Sequence, residues 1–220
     1  MIQPDEIIRS RRRTLSITID PFGRLIVRAP YSFSEERIFA FLREKERWIL
    51  QKQAQMKGAG MRLPPEDLDG YEFLLLGRNC RICLTEERYI RFDEESAIVY
   101  LPRENARKKL ITWLKNNAKR IMTTVTARAA EKMGVSYQSI TITSAKRRWG
   151  SCSYDNKLHY TFRLIYAPKE VIEYVAIHEL AHVKHKNHSP LFWAEVARYV
   201  PDWKQKRAWL KHHGILMEIF

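Results

Sequence analysis

Long apolar runs are missing from this chain. No stretch approaches the eighteen or more residues of a membrane span. The opening "MIQPDEIIRSRRRTLSITID" has no apolar core of the kind a secretory signal needs. Cysteine is scarce as well, at three in 220 residues. An odd cysteine count without a signal points to a reducing, cytoplasmic setting and away from a disulfide framework. Two of the three form "CRIC" (Cys80, Cys83). As half a zinc site that motif would need a second pair, and the alternation in "FLLLGRNCRICL" makes it a strand instead. The eight glycines include no glycine-rich phosphate loop. Acidic residues almost vanish between positions 101 and 150, where twelve Lys or Arg face only Glu104 and Glu131, a net +10 out of +14 for the whole chain. A field of that sign attracts polyanions or acidic substrates. No nucleic-acid motif accompanies it, and a solvated helix face is favoured over dedicated nucleic-acid binding.

What is present reads as α+β. "RRTLSITID" and "RLIVRAP" alternate on either side of a Pro-Phe-Gly turn, the pattern of a β-hairpin. One helix follows over "SEERIFAFLREKERWILQKQ", with Ser34 as N-cap. Composition makes 57–70 a loop. Strands follow at "YEFLLLG", "NCRICLT", "YIRFD" and "AIVYLP", then a long helix over about 103–133 that ends at Gly134. "RLIVRAP" and its helix match "AIVYLP" and its helix at a constant offset of 72 residues, a faint repeat that carries no functional reading. Beyond it, "SITIT", "RRWGSCS" and "LHYTFRL" read as strands, with "YDNK" as a turn. Three helices close the chain: one over "APKEVIEYVAIHELAHVKHKN" with Pro168 in its first turn, one capped by Ser189 with Pro190 at its first position, and one ending at Gly214. The expected division is a β-rich hairpin-and-helix region over 1–102 and a second domain over 103–220.

Four histidines, His178, His182, His185 and His188, fall within eleven positions. His178, Glu179 and His182 form H-E-x-x-H. On a helix, positions i and i+4 share one face, so two imidazoles can converge on one ion while the glutamate reaches a water beside it. A zinc hydrolase needs three protein ligands and one open position. His185 lies on the same face as His178, but seven residues rise about 10.5 Å along a helix axis, too far for one ion without a bend. His188 follows Asn187, a residue that tolerates the left-handed conformation ending many helices. A turn there would aim His188 at the ion, so His188 is favoured and His185 is left beside the metal, facing substrate, or solvated. Three histidines favour zinc over magnesium.

"RRWGSCS", "LIYAPKEVIEYVAIHELAHVKHKNHSPLFW" and "VPDWKQKRAWL", taken in order, resemble the YgjP-like metallopeptidase family, a small zincin family related to SprT-like and Wss1-like proteases. The resemblance covers essentially the full chain. It implies a minimal zincin core, an antiparallel sheet packed on the H-E-x-x-H helix. It also implies one Zn²⁺ per chain on His178, His182 and His188, with Glu179 as general base. One departure is Thr161, where the family commonly has Asn. The metzincin pattern shares the step from second to third histidine but has Gly at the position of His185 and a later Met-turn, and neither is present.

The chemistry so implied is hydrolysis of a peptide bond, with a donor besides the metal to steady the oxyanion. Candidates for that donor are His185, Tyr160, Arg148 and His159. The strand around Trp149 and Gly150 could offer an open edge to an extended peptide, or could equally be core and turn packing. Cys152 has no signature of a nucleophile. His212 and His213 at a helix end are accounted for by the helix dipole. Two alternatives stay in view: hydrolysis of another substrate such as a nucleoside phosphate, and a polyanion-binding module that retains the zincin core. The expected partner is a peptide or protein, with polyanion contact through 101–150 and no membrane. Oligomeric state is not legible.

Overall fold

The computed structural model describes residues 2–19, 23–57 and 64–220. The chain divides into two compact units, 1–62 and 63–220. The strands of 71–102 therefore belong with the long helix and the histidines, not with the N-terminal hairpin as the expected boundary at 102/103 had it. Each unit has its own apolar cluster.

In the first unit, β1 (Glu6–Ser10), β2 (Ser16–Ile19) and β3 (Leu25–Pro30) form a sheet of order β1-β3-β2. β2 and β3 are the expected antiparallel hairpin, with Ile17 opposite Val27; Asp20, Pro21 and Phe22 of its turn lie outside the described residues. β1 adds a parallel strand. Leu25, Val27 and Ala29 point inward on β3 and meet Ile38, Leu42 and Ile49 from the helices. The expected single helix is two, α1 (Glu35–Glu44) and α2 (Glu46–Lys57), separated at Lys45. Ser34 caps α1 as expected, accepting from the Arg37 N–H at 3.4 Å.

In the second unit, β4 (Glu72–Leu75), β5 (Arg78–Thr85), β6 (Arg91–Asp93) and β7 (Ile98–Pro102) make a sheet of order β4-β5-β7-β6. Cys80 and Cys83 sit in β5, as free thiols. Three residues apart on a strand, they face opposite sides and cannot share an ion. The long helix α3 (Ala106–Met133) ends on Gly134 in the left-handed conformation, with its N–H bonded to the Ala130 and Glu131 carbonyls. β8 (Ser139–Thr143), β9 (Gly150–Cys152) and β10 (Lys157–Thr161) form the third sheet, of order β8-β10-β9. It is mixed rather than antiparallel: β8 runs parallel to β10, and only β9 opposes it.

One topology thus occurs three times. In β1-β3-β2, β5-β7-β6 and β8-β10-β9, the first strand lies parallel to the third, the second is antiparallel on its other side, and a helix follows. The 72-residue repeat read in the sequence marks the first two.

After Thr161 the strand expected over "LHYTFRL" stops, and Phe162–Tyr166 coils into 3₁₀ turns. Arg163 explains the departure. It is buried, at 2% exposure, and its guanidinium donates to the carbonyls of Ser144 at 3.0 Å and Ile219 at 2.9 Å, and to that of Phe220. The closing 3₁₀ segment Gly214–Glu218 is tied to the sheet this way. Its Ile215, Leu216 and Met217 are buried. Helices α4 (Lys169–Lys184), α5 (Pro190–Tyr199) and α6 (Trp203–His212) complete the unit, with α4 packed on α3, β9, α5 and α6. Pro168 is the N-cap of α4, not its first turn, and α6 ends on His213, one residue before Gly214. Among the described residues, no helix is long and apolar enough to cross a membrane.

Truncating Arg163 would leave the buried Ile219 carbonyl unpaired and remove the donor from the part-buried carbonyls of Ser144 and Phe220. Each buried unsatisfied group costs about 1–3 kcal/mol. Arg163→Ala should lower stability by about 3 kcal/mol or more, read as a fall in urea midpoint with unchanged slope.

Candidate metal centre

The centre is built on α4. Val171, Ile172, Val175, Ile177 and Leu180 bury the helix on the side of α3 and the sheet, which turns His178, Glu179 and His182 towards the open end of the unit. The helix stops at His185, whose extended backbone (φ −128°, ψ 101°) leads the chain out. Asn187 was expected to make this corner by adopting a left-handed conformation, but it is absent from the positive-φ residues. It works through its side chain: Oδ1 accepts from the Ser189 N–H at 3.3 Å. Ser189 then caps α5, accepting from the Phe192 N–H at 3.4 Å, with Pro190 at the helix start. His188 is pinned in the corner between two helix ends.

The ligand atoms of His178, His182 and His188 all lie within 4.8 Å of one another. Phe192, fully buried, forms the platform beneath them: its ring lies 4.9, 4.5 and 4.7 Å from the three imidazole centroids. Trp193 stacks against His188 at 5.5 Å and against Trp203 at 4.1 Å. Neither aromatic stands out in the sequence, where an aromatic early in a helix reads as ordinary core.

The donor set fits a metal ion. Nε2 of His178 and Nε2 of His188 are 3.1 Å apart, near the edge of about 3.3 Å in a tetrahedron with arms of about 2.0–2.1 Å. His182 Nδ1 lies 3.0 Å from the His185 carbonyl oxygen. That oxygen can only accept, so Nδ1 carries the proton and Nε2 keeps its lone pair for the cluster. Nδ1 of His178 is buried without a hydrogen-bond partner among the described residues. Burial, with the neighbouring His182 and His188, pushes His178 down to about 3. Burial likewise lowers His182. Neutral imidazoles are the form that binds metal.

Glu179 is buried at 5% exposure. Burial pushes its carboxyl up to about 8, against the pull of the Arg148 guanidinium. Gly150 lies over it so closely that a β-carbon there would sit 2.7 Å from Oε1 and 2.9 Å from Cγ. The strand that reads as a possible peptide edge thus lies against Glu179 at Gly150. Two cavities meet at Gly150. One, of about 330 Å³, is lined by Trp149, Tyr174, His178, Glu179, Arg207 and Lys211 among others. The second, of about 540 Å³, opens on the outer face of β8-β10-β9 and includes Arg148, Ser151 and His159.

The remaining sequence candidates divide. Trp149, Gly150 and Arg148 line these cavities. His185 contributes its backbone carbonyl and not its ring to the cluster. Tyr160 is buried, with its hydroxyl accepting from Thr126 at 3.3 Å, so it is a core residue and not a substrate contact. His159 faces the outer cavity and not the histidines. Burial raises the Cys152 thiol, which keeps it protonated. Tyr174, Arg207 and Lys211 were not found from the sequence. They belong to helices whose spacing gives no reason to single them out.

The YgjP-like metallopeptidase domain model matches residues 13–213. No curated protein matches the chain. Among solved structures, the metallopeptidase zymogen of Pyrococcus abyssi abylysin is 24% identical, covering 39% of this chain and 87% of that one with a TM-score of 0.37. The metallopeptidase zymogen of Methanocaldococcus jannaschii jannalysin is 21% identical, covering 40% and 93% with a TM-score of 0.36. With the family model matched over nearly its whole length, the chain belongs to the YgjP-like metallopeptidases and is a metal-dependent peptidase.

Proposed function

We propose that the metal is one Zn²⁺ held by His178, His182 and His188, that Glu179 is the general base, and that the unit of α3, β8–β10 and α4 is a minimal zincin core. The observation that carries this reading is the convergence of three imidazoles beside a buried carboxyl. Zinc, when bound, supplies Lewis-acid polarisation of the scissile carbonyl and acidifies water. The rest is done by the chain. Phe192 and the His185 carbonyl hold the imidazoles in orientation. Gly150 fixes the Glu179 carboxyl beneath the strand, where it takes a proton from the attacking water and delivers it to the leaving amine. Arg207 lines the cavity that holds Glu179 and is better placed than the buried Tyr160 to steady an oxyanion. β9 is an edge strand of its sheet and can pair an extended peptide.

A second contact follows from α3. The helix carries eight Lys or Arg against Glu131 alone. A groove of about 540 Å³ beside it gathers Arg88, Lys108 and Lys109 around Tyr89, which is 80% exposed. We read this face as the polyanion contact. It differs from a nucleotide-hydrolysing site in holding no metal cluster among the described residues.

Zinc titration should perturb tryptophan emission through Trp193. His188→Ala should weaken zinc binding by more than the about 10–100-fold that a lost supporting hydrogen bond costs; unchanged affinity by chelator competition would remove His188 from the ligand set. Peptide cleavage by the zinc-loaded chain should fall about 10²–10⁴-fold in Glu179→Gln. In Gly150→Ala it should fall about 10²-fold with zinc content intact, since an ångström of displacement is enough. Binding of a labelled oligonucleotide, followed by anisotropy, should drop steeply with salt and persist after chelation. Salt-independent or chelator-sensitive binding would rule out the α3 contact.

A further inference from the structure

The two cavities that meet at Gly150 have the same electrical sign. The outer one includes Arg148 and His159 and no carboxylate. The inner one includes Arg207 and Lys211, and its single carboxylate is Glu179. Arg148, Arg207 and Lys211 are all exposed. Arg207 lies over the Trp193 ring at 5.3 Å, and no ion pair among the described residues involves any of the three. The nearby acid Asp155 is already paired with Lys157 at 2.6 Å.

Strand register tells which groups line the outer cavity. His159 pairs with Ser151 on one side and Thr141 on the other, and Thr161 pairs with Thr143. These residues share one face of the sheet, alternating with Leu158 and Tyr160, which point into the core. Thr161 donates its hydroxyl to the Ala145 carbonyl at 2.8 Å, and Thr143 donates to that of Tyr160 at 3.3 Å. Among the described residues, the guanidinium of Arg148, the hydroxyl of Ser151 and the ring of His159 have no such bond. They are three donors facing one polar space, the set that receives a carboxylate.

An extended peptide added to the free edge of β9 turns alternate side chains to opposite faces of the sheet. One set faces Glu179 and His178 and the other faces Arg148. The geometry points to an acidic peptide as substrate: an extended chain along β9 with an Asp or Glu side chain turned into the groove of Arg148, Ser151 and His159. This rests on the peptidase reading above and names its substrate class.

The test uses the full chain and an otherwise neutral peptide of ten residues, with Asp or Asn scanned through every position. Binding is read by anisotropy on Glu179→Gln, which does not turn over, and cleavage on the zinc-loaded native chain. At one position or at alternate positions, Asp should be preferred over Asn by about tenfold, the equivalent of about 1.4 kcal/mol. Arg148→Glu should reverse the preference in favour of Lys, and His159→Gln should reduce it. Because each figure is a ratio within one variant, a general loss of activity cancels. Cleavage with equal Asp and Asn rates would overturn the acidic-substrate inference and leave the peptidase reading standing. Preferential binding of Asp peptides without cleavage would do the reverse. A preference that survives Arg148→Glu would overturn the assignment to this groove.

Discussion

The contact between Gly150 and Glu179 sets the terms for the rest of the second unit. A carboxyl group has been taken out of water and laid against the backbone of a strand, at a spacing that admits no β-carbon. Holding it there requires both partners to be fixed independently. Gly150 is fixed by pairing with Tyr160 in β10, and Tyr160 is fixed by complete burial and by Thr126 of α3. Glu179 is fixed by the apolar side of α4, packed on α3 and β9. The long helix, the sheet and the histidine helix are therefore one constraint met from three directions. The cost is visible in the carboxyl itself, raised to about 8 because almost nothing around it favours its charge.

The histidine cluster shows how far spacing alone can be trusted. His178 and His182 are legible because helical geometry leaves two residues four apart no alternative to sharing a face. His188 is legible as the third member of the cluster because His185, seven residues on from His178, lies too far along the helix axis to join it. The means of turning the corner was not legible. Asn has two ways to end a helix, through its backbone conformation or its side chain, and the sequence does not distinguish them; here Oδ1 does the work. Phe192 was invisible for a different reason. Its role depends on α5 folding back over α4, a tertiary fact that no local pattern carries.

The sheets divide along the same line. Alternation located nearly every strand, because alternation reports burial of one face. It says nothing of direction, and the antiparallel third sheet that the family resemblance implied is in fact mixed. The repeated topology was half legible. The first two copies keep a constant separation, whereas the third interposes the 3₁₀ segment around Arg163 before its helix. That interruption is what breaks the sequence pattern, and it is also what anchors the end of the chain to the sheet. The expected domain boundary failed for a related reason: the strands of 71–102 look like the N-terminal hairpin in composition, but their partners lie after them.

Charge gives the last step. A metal centre in a chain of net +14 receives no help from the overall field, which repels cations. Its affinity must come from ligands already stripped of competing protons. Burial contributes to that condition at two of the three: His178 is driven down to about 3 and His182 is lowered with it, which favours the neutral imidazole that binds metal. The field is then free to act on whatever else approaches. The cations at Gly150 and those along α3 act with the same sign, so their field favours anionic groups, whereas the clustering of His178, His182 and His188 owes nothing to it.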